Sequence, residues 1–248
     1  MTKSHLFRAI TIFLLLLDQA IADMTPITVS IDHDDGGKTS QSHLASFFDA
    51  LQASACHAIA YEISNQPAQL LFDPAPHTHA LKSHPDYELI AIAKTLNGDT
   101  DIRGAIIVQA STGITELDSL KGSWFSFISK NSWAGYLLPL KLLNKINIDE
   151  KNSHFYFVGN HIGSAAALNH GDVQAAIIAE PLARRWADHN QWSIVAVTEA
   201  VETGGWWIHK SVSSNVKLQC TRALTQLTKS QHKVMPVWID GFEINLGN

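Results

Sequence analysis

The sequence predicts an α/β protein of two lobes, with mainly parallel sheets and a cleft between them. Strands alternate with helices along most of the chain, which is typical of parallel sheets whose faces are covered by helices. A long apolar strand, IRGAIIVQA at 102–110, is followed by a restart of the same rhythm. The simplest packing therefore inserts a second half between parts of the first. Polar turns follow the strands, and ligands of such sheets bind at the carboxyl ends of strands.

The N-terminal segment 1–22 is typical of a secretory signal peptide. Lys3 and Arg8 flank the apolar run AITIFLLLL at 9–17, which is too short for a stable membrane span. Ala-Ile-Ala at 20–22 then gives the small-x-small cleavage pattern. We expect an exported protein; a short N-terminal membrane anchor is the alternative.

The rest of the chain is predicted to divide at the apolar strand. We assign 23–104 and 205–248 to lobe 1 and 105–204 to lobe 2. The first part is predicted to form these elements: strands at 26–32, 57–64, 69–73 and 86–95, a helix capped by Thr39 or Ser40, and a loop entering a short helix at 74–83. After the restart we predict a short helix around 117–120, strands at 123–129, 155–159, 175–180 and 193–198, and helices at 132–145, 163–170 and 181–188. A return segment at 202–211, a helix capped by Ser213 or Ser214, and a closing segment at 234–242 complete the chain.

The charge balance and the motif content limit the kinds of function to expect. The chain has 18 basic and 23 acidic residues, a net charge of −5, whereas nucleic-acid binding needs a basic face. Without a Gly-x-Ser-x-Gly elbow, a Walker loop or a spaced zinc motif, we predict neither an enzyme nor a cofactor. Cys56 and Cys220 are the two cysteines, and the sequence leaves open whether they form a disulfide or are two buried small hydrophobes.

Two strand-to-helix turns carry the strongest signal for a binding site. In FISKNSWAGYLLP (127–139), Asn131 or Ser132 can cap a helix and leave the amides of residues 133–135 free at its positive end. Such a helix end favours an anion. The segment 159–176 repeats the layout, with Asn160 and His161 before a helix of small residues. Pro139 should kink the first helix or limit its first straight section.

These turns also carry a family resemblance. The run SLKGSWFSFISKNSWAGYLLPLKLL (119–143) resembles the ABC-transporter substrate-binding proteins for phosphonate, phosphite and phosphate (PhnD type), which typically read LKGK.FAFGDPNSTSGYLVPLYLL here. In GNHIGSAAALNHGDVQAAII (159–178), His161 and Gly171 keep the spacing between a ligand histidine of the family and the glycine before its VDAA segment. QLLFDPAPHTHAL (69–81) is more loosely similar to the family's vDlawlgP..Y..A segment.

The resemblance implies a type II periplasmic binding protein fold. It also implies a monomer in the periplasm that captures a phosphonate-, phosphite- or phosphate-like oxyanion, including amine-bearing organophosphonates, by hinge closure. The implied partner is an ABC permease in the inner membrane. Two alternatives remain: a ligand-sensing partner of a membrane signalling protein, and a paralogue that binds a different small molecule, either an amine or a metal.

This chain departs from the family at several positions. The family's Ser-Thr-Ser is here Ser132, Trp133 and Ala134, and the Asp of VDAA is Gln174. The short segment 64–69 leaves almost no room for a helix of the family's first lobe. One of His77, Thr78 and His79 takes the place of a family phenol.

The candidate ligand-binding residues are therefore Ser132, Trp133, Ala134, His161, Glu180, His77, Thr78 and His79. The alternatives are an ordinary helix cap for Ser132, a satisfied loop residue for His161, and a surface charge pair with Arg184 or Arg185 for Glu180.

The two histidines at 77 and 79 would both face the cleft from an extended segment. A metal site with His161 or Asp34 is the less favoured interpretation. Asp34 and Asp35 are expected to bind a cationic group or to form a solvated turn. Trp133, Trp206 and Trp207 are candidates for an aromatic wall, and core packing is the alternative for the adjacent pair.

Overall fold

The computed structural model describes residues 26–31, 40–60 and 67–245. The predicted signal peptide, the acidic pair Asp34 and Asp35, and part of the short segment 64–69 lie outside these residues. Within the described ranges, no helix has the length and apolar character needed to cross a membrane.

The described chain contains thirteen strands and six α-helices. The strands are β1 Ile27–Ile31, β2 Ala58–Ala60, β3 Leu70–Asp73, β4 Tyr87–Thr95, β5 Asp101–Ile102, β6 Gly104–Gln109, β7 Trp124–Phe127, β8 His154–Phe157, β9 Ala175–Ala179, β10 Trp192–Val197, β11 Val201–Glu202, β12 Gly205–His209 and β13 Ile239–Ile244. The helices are α1 Gln41–Ala53, α2 His77–Ser83, α3 Leu138–Asn144, α4 His161–His170, α5 Glu180–Asn190 and α6 Ser214–Thr225. Short 3-10 turns lie at Ala110–Thr112 and Leu117–Leu120, and a π-turn lies at Trp133–Leu137.

The strands form two large sheets of related topology. The six-stranded sheet has the order β13-β4-β12-β3-β1-β2, and the five-stranded sheet has the order β10-β6-β9-β7-β8. Strands β1 to β4 run in one direction in the first sheet, as do β7 to β10 in the second. The reversed strands are β12, β13 and β6. The predicted α/β architecture with mainly parallel sheets is confirmed, and the antiparallel pairings come from these three strands.

The chain passes between the two sheets through a small antiparallel ribbon of β5 and β11. Two buried threonines fix the backbone there. The Thr198 hydroxyl accepts a hydrogen bond from the amide of Gly104 at 3.0 Å, and the Thr203 hydroxyl donates to the carbonyl of Ala93 at 2.6 Å. We did not predict these threonines, because their only sequence signal is a polar residue next to an apolar strand. The lobe boundaries at 104/105 and 204/205 stay a prediction.

Cys56 and Cys220 form a disulfide, which decides the question that the sequence left open. Both side chains are fully buried, and the bond ties the chain just after α1 to α6 across a sequence separation of 164 residues. Closing so long a loop restricts the unfolded chain and therefore favours the folded one.

Candidate functional site

The first turn of the site begins at Ser132, which is fully buried. Its Oγ accepts a hydrogen bond from the amide of Gly135 at 3.0 Å, so the predicted cap is Ser132 rather than Asn131. The Gly135 amide, which we had predicted to be free, is therefore occupied by the cap. No described residue accepts a hydrogen bond from the amides of Trp133 and Ala134. These two donors remain at the positive end of the helical segment.

The helix predicted at 132–145 has two parts. Residues Trp133–Leu137 form a π-turn, in which the amide of Leu138 donates to the carbonyl of Trp133, and α3 follows. Pro139 is near the start of α3, where its missing N–H costs little. This agrees with the prediction that Pro139 limits the first straight section of the helix. A side chain at Gly104 would clash here, since its Cβ would lie 2.4 Å from the carbonyl oxygen of Ala134. The π-turn thus packs directly on the start of β6.

Tyr136 anchors the inner side of this turn. Its ring lies 5.3 Å from that of Phe127 and 5.2 Å from that of Phe157. Its hydroxyl donates to Oε1 of Glu150 at 3.4 Å. Burial, and then the neighbouring Glu150 carboxylate, raise the pKa of the Tyr136 phenol, so the ring stays neutral and remains a donor.

The second turn places His161 in a helix rather than in a loop. Asn160 caps α4 by accepting from the amide of Gly163 at 2.7 Å, and α4 begins at His161, two residues before the predicted start. The imidazole is fully buried, and its Nδ1 accepts a hydrogen bond from the amide of Ala179 at 3.2 Å. In a neutral ring the proton is therefore on Nε2, which makes Nε2 a donor.

Glu180 forms the third part of the site. It is the first residue of α5, one residue earlier than predicted, and is 4% exposed. Its carboxylate forms an ion pair with Arg184, whose side chain is largely exposed. The predicted alternative of a plain surface charge pair is wrong in one respect, because the carboxylate is buried.

Sheet order brings these three residues to one edge. The strands β8, β7 and β9 are consecutive neighbours and run parallel. His161 follows β8, Ser132 follows β7, and Glu180 follows β9. Because the carboxyl ends of parallel strands meet at one edge of a sheet, the two capped turns and the buried carboxylate lie along the same rim.

The first-sheet candidates lie in the first turn of α2, not on an extended segment. Residues two apart on a helix point about 200° apart, so His77 and His79 do not share a face, as they would on an extended segment. The His79 ring, on the side of the six-stranded sheet, lies 5.3 Å from the ring of Trp133, on the side of the five-stranded sheet. The His77 ring lies 5.4 Å from that of Trp207, and its Nδ1 is 3.9 Å from Oε2 of Glu202. Thr78 is exposed.

Trp206 and Trp207 are core residues. Both are fully buried, and Trp206 stacks on Phe47 with a centroid distance of 5.6 Å. An aromatic wall built from this pair is therefore wrong, and Trp133, which is half-buried, is the tryptophan that remains for such a role. The described residues contain no cluster of three or more His, Cys, Asp and Glu side chains that could hold a metal ion.

The sequence as a whole matches a known family model. Residues 43–244 match the family described as "ABC transporter, phosphonate, periplasmic substrate-binding protein". The chain belongs to this family. It is a family of transport proteins that bind substrate in the periplasm, not of enzymes. The predicted recognition is confirmed. Among curated proteins, no sequence matches the chain.

Solved structures confirm the type II periplasmic binding protein fold. PhnD1 from Prochlorococcus marinus in complex with methylphosphonate has a TM-score of 0.65 at 16% identity, over 90% of this chain and 93% of that chain. A binding protein of a phosphonate ABC transporter from Pseudomonas aeruginosa has a TM-score of 0.62 at 15% identity, over 89% and 81%. A Xanthomonas citri protein bound to ATP has a TM-score of 0.61 at 14% identity, over 88% and 90%.

Proposed function

We propose that this protein captures a phosphonate-like oxyanion, such as a phosphonate, phosphite or phosphate, between its two sheets and presents it to an ABC permease of the inner membrane. The observation that carries the proposal is the shared rim. Three consecutive strands end in two capped turns and a buried carboxylate, and the first sheet contributes His79 across from Trp133.

Four donors in this rim suit a tetrahedral oxyanion. The amides of Trp133 and Ala134 supply two, and a ligand oxygen bound to them sits at a positive helix end. The Ser132 hydroxyl uses a lone pair for its cap, which leaves its O–H to donate to the ligand. Nε2 of His161 supplies the fourth. Charge-assisted hydrogen bonds of this kind are about twice as strong as neutral ones.

Glu180 adds an acceptor to a site that is otherwise made of donors. A carboxylate there accepts a hydrogen bond from the P–OH group of a singly protonated phosphonate or phosphite, or pairs with a substrate amine. The same carboxylate forms an ion pair with Arg184. This combination favours a protonated or amine-bearing oxyanion over sulfate, which carries no proton at neutral pH.

Trp133 and His79 suit an organic substituent. The indole stands where the family usually has a hydroxyl side chain, and its edge-to-face contact with His79 puts two aromatic rings beside the donor amides. We infer that the protein prefers organophosphonates to bare phosphate. Ligand choice within this fold is open, since the Xanthomonas citri structure contains ATP.

The direct test measures binding by thermal unfolding and calorimetry. The ligands are methylphosphonate, 2-aminoethylphosphonate, phosphite, phosphate, sulfate, choline and zinc. A ligand at about a hundred times its dissociation constant stabilises the protein by about 2.7 kcal/mol. We expect the phosphonates to raise the melting temperature most. Stabilisation by choline or zinc alone would contradict the proposal.

A matched pair of variants on α4 tests the site itself. His161→Ala removes the buried Nε2 donor, and we expect it to weaken phosphonate binding about tenfold or more, the equivalent of about 1.4 kcal/mol. His170→Ala changes an exposed histidine at the other end of the same helix and should leave affinity unchanged. Equal affinities for the two variants, with both folded by circular dichroism, would remove His161 from the site.

A further inference from the structure

A second cavity lies away from the capped turns. It has a volume of about 330 Å³ and is formed by the first turn of α1, the end of β4, the middle of α5 and the segment 229–240. None of the proposed oxyanion-binding residues lines it. The cavity is at the lower end of the size range of small-molecule sites.

Basic side chains dominate the polar part of this cavity. Arg185, Lys229 and Lys233 line it, and Asp240 is its one lining carboxylate among the described residues. Nζ of Lys229 lies 2.5 Å from Oδ1 of Asp240, so this pair is neutral as a unit. In the described part of the chain, Arg185 and Lys233 have no carboxylate within ion-pair distance. Two positive charges therefore remain uncompensated in a chain whose net charge is −5.

The two unpaired cations come from different sheets. Arg185 is on α5, which connects β9 to β10 of the five-stranded sheet along the chain. Lys233 is in the segment that leads into β13 of the six-stranded sheet. A ligand that contacts both side chains would span the two halves of the molecule.

The rest of the wall is apolar apart from two histidines, His43 and His232. Leu96, Met235 and Val237 contribute hydrophobic surface, and Val237 is 43% exposed. His232 is only 6% exposed, and its Nε2 has no hydrogen-bond partner in the structure. A buried polar atom without a partner costs free energy, which a polar group of a ligand would recover.

We propose that this cavity is a second binding site, for a small organic anion with an apolar body. The anionic group lies between Arg185 and Lys233, and the apolar body packs on Met235 and Leu96. Since the anion contacts both sheets, its binding stabilises the two halves in the arrangement described here. The site shares no residue with the proposed oxyanion site.

The test compares two probes of the same shape, 2-naphthoate and the uncharged 2-naphthalenemethanol, by titration calorimetry on the full chain. We expect naphthoate to bind at millimolar concentration or below and the alcohol to bind at least about tenfold more weakly. Arg185→Gln and Lys233→Gln should each weaken naphthoate binding about tenfold, the equivalent of about 1.4 kcal/mol. Binding should also weaken as salt is raised, because both side chains are exposed to solvent.

Two control variants keep the result specific. Arg222→Gln removes an exposed arginine on α6 outside this cavity, and Ser132→Ala alters the oxyanion site. Both should bind naphthoate like the wild type. The proposal is overturned if wild type does not bind naphthoate at millimolar concentration, if the alcohol binds equally well, or if either control weakens binding as much as Arg185→Gln.

Discussion

The turns that start at Ser132 and Asn160 begin alike and then differ. In both, the capping side chain accepts a hydrogen bond from the amide of a glycine three residues later, at 3.0 Å for Gly135 and 2.7 Å for Gly163. The first turn then widens into a π-turn, whereas the second continues as a regular α-helix that ends at Gly171 with φ of 78°.

The two turns also differ in how closely neighbouring residues pack against them. A Cβ on Gly135 would lie 2.1 Å from Cγ1 of Ile128, and the same turn touches Gly104 on its other side. Around Gly163 the nearest contact of such a Cβ would be the carbonyl oxygen of Val158, at 3.3 Å. The same capping pattern therefore precedes two helix types, and the π-turn is the more tightly packed of the two. π-turns are frequent at functional sites, as the position of the first turn suggests here.

The largest expected effect is the difference in stability between alanine variants of Gly135 and Gly163. Gly135→Ala should destabilise the protein by about 1–3 kcal/mol, because the new methyl group overlaps Ile128 and the Ser132 hydroxyl. Gly163→Ala should change stability by less than about 1 kcal/mol, because the higher helix propensity of alanine offsets a mild contact. Urea unfolding of both variants measures the difference. Equal losses would mean that packing does not distinguish the turns.

Removing either of the two capping side chains should cost a similar amount of stability. Ser132→Ala and Asn160→Ala each remove a side-chain acceptor from a helix start, at a cost of about 1 kcal/mol in stability. Affinity for methylphosphonate should separate them, because only the Ser132 hydroxyl is proposed to donate to the ligand. Calorimetry should then show a larger loss for Ser132→Ala. A larger loss for Asn160→Ala would place the ligand nearer the second turn than we propose.

Local signals predicted most of the fold. The caps Ser40 and Ser213 were among the predicted choices, and the alternation of strands and helices identified the α/β class. The sequence did not predict the π-turn, whose packing against Gly104 at the start of β6 is a tertiary contact that no local pattern indicates. The disulfide could not be decided either, since sequence separation says nothing about whether Cys56 and Cys220 meet.

The candidate site divides in the same way. Ser132 and His161 could be proposed from the sequence because a cap and a helix start are local features with a recognisable spacing, and their role in binding stays a prediction. The sequence did not give the side-chain directions of His77 and His79, because these depend on whether residues 77–79 are helical. The burial of Trp206 and Trp207 depends on β12 lying between β3 and β4, which no local pattern indicates.

The smallest expected effect concerns the residue directly after the first cap. Trp133 is half-buried and touches His79 of the other sheet, whereas its counterpart His161 is fully buried and bonded to Ala179 within its own sheet. Aromatic pairs of this geometry are worth about 0.5–1.5 kcal/mol beyond their buried area, and the low end suits an exposed partner. A double-mutant cycle of Trp133→Ala and His79→Ala, measured by urea unfolding, should therefore give a coupling of about 0.5 kcal/mol.

The same cycle repeated with methylphosphonate tells what the contact is for. If the rings meet only when the two sheets approach each other, the coupling should grow when ligand is present, because ligand selects the approached arrangement. A coupling of the same size with and without ligand would mean that Trp133 and His79 touch in both states. The contact would then be a fixed part of the wall, and selection for an organic substituent would rest on its shape rather than on closure.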